Sequence, residues 1–90
     1  MKEKIKEEDV IKMGFFKYQK FLTFYIYDLE DGKHLSLSNL GTPNEFLFIC
    51  DGKNIERPTD VICIHNYDKH GYMTLNKMKS IIAILANNQF

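Results

Sequence analysis

Apolar residues recur along this 90-residue chain at helical spacing near both ends and at strand spacing between them. Near the start, Ile5 and Val10 flank a first turn made of Glu7, Glu8 and Asp9, and Gly14 follows Met13. The pattern predicts a short helix over Lys6–Met13. Ile5 and Val10 have the spacing of a hydrophobic staple, the acids suit the positive end of the helix dipole, and Gly14 is placed to stop it. Lys6 is a poor cap, and the helix is too short to persist alone, so it must dock on something. Met1–Lys4 reads as a frayed end.

From Phe15 the period changes. Phe21–Tyr27 is a run of aromatic, β-branched and leucine side chains, the signature of a strand, and Phe15–Tyr18 leads into it. Leu22, Phe24 and Ile26 are expected to face the core, and Phe21, Thr23, Tyr25 and Tyr27 to form a half-exposed, amphipathic face. Glu30-Asp31-Gly32-Lys33 carries the Asp-Gly signal of a tight hairpin. In His34–Ser38, Leu35 and Leu37 alternate with serines, predicting one buried face and one small polar one. A loop over Asn39–Asn44, a second apolar strand over Glu45–Cys50, the Asp51-Gly52 turn and, over Lys53–Asp60, a connection or a ragged edge strand complete the middle of the chain.

Val61–His65 is an unbroken apolar run ending in histidine, expected as a strand covered on both faces. Asn66–Gly71 is a polar turn. Thr74 stands where an N-cap should, with Met73 and Met78 at staple spacing around it. Leu75, Met78, Ile82 and Leu85, widened by Ile81 and Ile84, predict an amphipathic helix over Leu75–Ala86 that Asn87 and Asn88 end. The expectation is a single α+β domain over residues 1–90. It has a mostly antiparallel sheet of three to five strands, flanked by a short N-terminal helix and the C-terminal helix.

Composition narrows the function classes. Twelve basic and twelve acidic residues cancel, and eleven of the basic ones are lysine, Arg57 being the exception. Such a balance provides no field for nucleic acid or an anionic membrane and no guanidinium fork for phosphates. No apolar run approaches the ~18 residues of a membrane span. Two cysteines, Cys50 and Cys63, each lie within an apolar run, and the charged N-terminus does not resemble a signal peptide. The expectation is two reduced, buried thiols in a cytoplasmic protein.

Candidate chemistry concentrates before the last helix. His65, Asp68 and His70 are a cluster of metal-type ligands, but a fourth donor is not evident, and no metal or cofactor is assigned. Counted from Asn66, the turn imitates an EF-hand calcium loop at Asn66, Asp68 and Gly71, but fails at the twelfth position, where Lys77 replaces the bidentate glutamate. His34-Leu35-Ser36-Leu37 resembles half of the paired signature of 2H-type phosphoesterases, with no second copy. Cys63 and His65, two apart on one strand, would share a face, but a thiol buried there is the wrong kind of nucleophile. Asp28, Glu30 and Asp31 gather at a hairpin tip, as solvated turn residues do. The start of the last helix offers free amides with Thr74 and Lys77, and His70 and Tyr72 stand just before it, an arrangement able to hold a phosphate. The candidate ligand-binding set is His65, Asn66, Asp68, His70, Tyr72, Thr74 and Lys77.

Three stretches together carry a resemblance: Asp9–Phe15, Gly41-Thr42-Pro43-Asn44-Glu45 with the apolar strand after it, and Val61–Asp68. In these the chain resembles small uncharacterised proteins of Bacteroidota and their phages or mobile elements. That implies an accessory binder, such as an inhibitor of host defence, and transfers no active site. The 13% aromatic content, the amphipathic face of Phe21–Tyr27 and the apolar last helix favour a non-enzymatic protein-interaction module that self-associates as a homodimer or higher. The alternatives are a binder of a small anionic ligand, nucleotide or phosphate, at the turn before the last helix, and a small metal-dependent hydrolase.

Overall fold

The computed structural model describes residues 4–20, 22–30, 32–52 and 54–86. The expectations for Met1–Glu3, Phe21, Asp31, Lys53, Asn87 and Asn88 lie outside these residues. Helix α1 (Glu7–Met13) precedes five strands, β1 (Phe16–Gln19), β2 (Thr23–Asp28), β3 (Lys33–Ser38), β4 (Phe46–Asp51) and β5 (Asp60–Asn66). A one-turn helix α2 (Tyr67–His70) and helix α3 (Leu75–Ala86) complete the chain. The strands form one antiparallel sheet in the order β1-β2-β3-β4-β5. The fold is therefore α+β, as the grouping of strands implied. The radius of gyration of 12.2 Å matches the roughly 12 Å of a compact single domain of this length.

Both longer helices form where their signals stand. In α1 the staple residues Ile5 and Val10 are both buried, and the Asp9 carboxylate accepts from the Lys6 amide at 3.1 Å, serving the end that lysine cannot cap. Gly14 closes α1 at φ 110, and a Cβ there would meet the Tyr27 ring at 3.2 Å, so both backbone and space call for glycine. Thr74 Oγ1 accepts from the Lys77 amide at 3.3 Å, and Met73 and Met78 are fully buried around it.

These helices cover one face of the sheet. Val10 and Met13 of α1, with Met78 and Ile82 of α3, pack with Tyr25, Leu35, Leu37 and Leu47 in one core. Tyr25 reaches α1 directly: its hydroxyl donates to Glu7 Oε2 at 2.5 Å, and burial together with that bond pushes its pKa up to about 12.

Several expectations are overturned. Because the chain meanders, space order follows chain order and the last strand is an edge, so Val61–Ile64 is not a strand covered on both faces. Val61 is 51% and Ile62 62% exposed, and Cys63 is an exposed free thiol. The central strand is β3. Its serine face is not exposed either: Ser36 and Ser38 are buried between larger neighbours, Ile26 and Phe48 beside Ser36, Phe24 and Phe46 beside Ser38. On β2 Ile26 is buried as expected, but the face turned to the helices is the other one. Tyr25 and Tyr27 face the helices, because they lie beside Leu37 and Leu35, while Leu22 is exposed. On α3 the buried stripe stops short, leaving Ile84 80% and Leu85 39% exposed. The polar turn Asn66–Gly71 holds the short helix α2, with Asn66 Oδ1 accepting from the Lys69 amide.

The outer face of the sheet is crossed by the β4–β5 connection. Glu56 accepts from the Tyr18 hydroxyl on β1 and pairs with Lys20, both at 2.9 Å.

Candidate functional site

The predicted residues come together around a group that was not among them. Glu45, immediately before β4, is fully buried. Its Oε2 accepts from the Gly41 amide at 2.7 Å, and its Oε1 accepts from the Met73 amide at 2.5 Å while lying 3.3 Å from His65 Nε2. Its carbonyl accepts from the Tyr67 amide at 3.2 Å. One residue thus joins the β3–β4 loop, β5, the start of α2 and the entry to α3. The carbonyl of Met73 in turn accepts from the Ile5 amide at 2.8 Å, which ties the N-terminal segment to the same place.

A bulge brings His65 to this carboxyl. Phe48 pairs with Cys63 but Leu47 pairs with His65, so Ile64 is the extra residue of β5. Directly opposed residues point to the same side of a sheet. Cys63 therefore shares the outer face with Phe48, and His65 the helix side with Leu47. This corrects the expectation that Cys63 and His65 share a face.

His65 is 3% exposed, and burial holds its pKa below the ordinary 6.5. The bond to Glu45 pulls the other way, while His70 and Lys77 add to the depression. The His70 ring stacks on His65 with centroids 5.5 Å apart, and His70 Nδ1 accepts from the Asn66 amide at 3.3 Å. Beside this pair a groove of about 380 Å³ opens between β5 and α3, lined by Ile64, His65, His70, Asn76, Lys77, Ser80 and Ile81.

Three of the seven predicted residues, His65, His70 and Lys77, therefore meet at one groove. The others do not line it. Asn66 caps α2 and Thr74 caps α3. Asp68 is exposed on α2. Tyr72 packs on Tyr67 at 4.7 Å, with the Lys4 ammonium 4.2 Å over its ring. The Lys77 ammonium donates to the His70 carbonyl at 2.8 Å, so an incoming anion must compete for it. Among the described residues, no three His, Cys, Asp or Glu side chains are grouped to hold a metal ion.

Sequence reasoning missed Glu45 because an acid just before an apolar strand reads as part of a solvated loop. The available signal was its company: Gly41, with φ 75, lets the loop turn back so that its own amide meets the carboxylate.

No family model matches the chain, and neither the curated proteins nor the solved structures compared with it include a match. The site must be read from its own geometry.

Proposed function

We propose that the protein is a non-enzymatic protein-interaction module whose contact surface is the free edge of β5, and that the first occupant of this edge is a second copy of the chain. The exposure of Val61 and Ile62, on opposite faces of an edge strand, carries this reading. Edge strands of monomers are ordinarily blunted by lysine, proline or a covering element. Within β5 the sole acidic or basic side chain other than the histidine is Asp60, at its start.

A second copy fits for two reasons. Antiparallel pairing about a twofold axis near Cys63 sets the apolar run Val61–Ile64 against itself. A net charge of zero puts no overall repulsion between copies. Sedimentation or light scattering tests the proposal. A mass near twice 10.6 kDa is expected, with Ile62→Lys shifting it to the monomer. A monomer persisting at high micromolar concentration would refute self-association through β5.

The groove between β5 and α3 favours a second reading, a small-ligand site for a nucleotide or other phosphate, since His70 and Lys77 line it. A ligand present at 100 times its Kd adds about 2.7 kcal/mol of stability, enough for a thermal-shift screen against nucleotides to decide. The accessory role in a phage or mobile element suggested by the sequence resemblance is compatible with either reading.

A further inference from the structure

The β2–β3 and β4–β5 connections meet at one end of the sheet. Asp28 stands opposite His34, His34 opposite Cys50, and Lys33 opposite Asp51. There a pocket of about 280 Å³ is lined by Asp28, Leu29, Gly32, Lys33, His34, Gly52 and Ile55. His34 is 4% exposed, and its Nε2 is the one buried side-chain polar atom among the described residues that has no hydrogen-bond partner. Buried polar atoms are nearly always partnered, so an orphan in a residue that lines a pocket calls for a group that completes it.

Charge narrows that group. Asp28 and Lys33 line the same pocket, and neither belongs to any of the ion pairs among the described residues. A simple anion drawn to Lys33 would meet Asp28, and a simple cation drawn to Asp28 would meet Lys33. A ligand carrying both charges on adjacent carbons can satisfy both. The imidazole nitrogen, donor or acceptor according to its tautomer, can then take a third bond. Leu29 and Ile55 offer apolar contact for a side chain. At about 30 Å³ per water, the space equals roughly nine waters, a size that suits a small molecule.

We propose that this pocket, with Asp28, Lys33 and the unpartnered His34, binds a small zwitterion of the free α-amino-acid class. The site is separate from the β5 edge and from the groove beside α3, so its success or failure leaves those readings untouched.

The test is NMR of the full chain with ¹⁵N-labelled histidine, titrated with glycine, alanine, serine and leucine at millimolar concentration. Acetate and methylammonium serve as half-ligands. The chain has three histidines, so His65 and His70 act as internal controls. A saturable change confined to His34 is expected with amino acids, with the half-ligands binding far more weakly. Asp28→Asn and Lys33→Gln lie at exposed positions that should leave the fold intact, and each should weaken binding about two- to fivefold, as loss of an exposed ion pair does. His34→Leu should abolish it. No saturable change with any amino acid would mean that His34 meets only a water, and would overturn the proposal. Equal binding of acetate, or unchanged affinity in both charge variants, would overturn the zwitterion assignment.

Discussion

His34 and His65 occupy opposite circumstances in one small sheet. Each is almost wholly buried, one at the start of the central strand and the other near the end of an edge strand. His65 is held: Glu45 lies at its Nε2, and His70 stacks on its ring. His34 has no partner at Nε2. The contrast separates two uses of a buried imidazole. Where the surroundings supply a carboxyl that also collects two backbone amides, the histidine belongs to the framework. Where they supply only a pocket wall, it is free to bind.

The largest effect should come from removing the framework's carboxyl. Glu45→Ala would leave His65 and the amides of Gly41 and Met73 without their shared acceptor, and should lose about 3–5 kcal/mol in urea unfolding. Glu45→Gln, which keeps one acceptor oxygen, should lose less. A loss below about 1 kcal/mol for Glu45→Ala would break the comparison, because His65 would then be no better supported than His34.

Exchanging each imidazole for an apolar group sharpens it. His65→Leu strands a fully buried carboxyl and should lose about 1–3 kcal/mol, whereas His34→Leu removes an orphan and should be neutral or stabilising within about 1 kcal/mol. Equal losses at the two positions would count against separate roles.

Acid provides a third contrast. Because the pKa of His65 is depressed in the folded state, the unfolded chain takes up that proton more readily. This contribution to stability is fully present above 6.5 and is lost as the pH falls through the lower folded value. The melting temperature should therefore decline as the medium is acidified below 6.5, and the decline should be smaller in His65→Leu. An unchanged decline in that variant would assign it to other groups.

The smallest effect on the folded monomer belongs to the edge itself. Ile62→Lys should change monomer stability by no more than about 0.5 kcal/mol while removing self-association. A large loss of monomer stability would show that β5 contributes to the core more than its exposure indicates.

Much of this architecture is written in local pattern. The staples Ile5/Val10 and Met73/Met78, the stop at Gly14, the cap at Thr74 and the span of α3 all depend on residues within one or two turns of each other, so spacing alone determines them. The division of the middle of the chain into strands and turns follows likewise from Asp-Gly punctuation and apolar runs. Which strand lies at the centre does not. An apolar run such as Val61–Ile64 suits an interior strand or a sticky edge equally well, and the meander order decided for the edge. The faces of β2 were likewise settled by register, since Tyr25 and Tyr27 lie beside Leu37 and Leu35. The candidate sites were the least legible part. Glu45 and His65 are twenty residues apart, and only a one-residue bulge aims the imidazole at the carboxyl. His34 lost its expected place on a half-exposed strand once large neighbours closed over β3. Sequence by itself determined the two longer helices, the strand-rich middle of the chain and the α+β class, because those rest on contacts between near neighbours. Only the tertiary structure decided centre from edge and partnered histidine from unpartnered, because burial and hydrogen bonding there depend on strands and loops far apart in the chain.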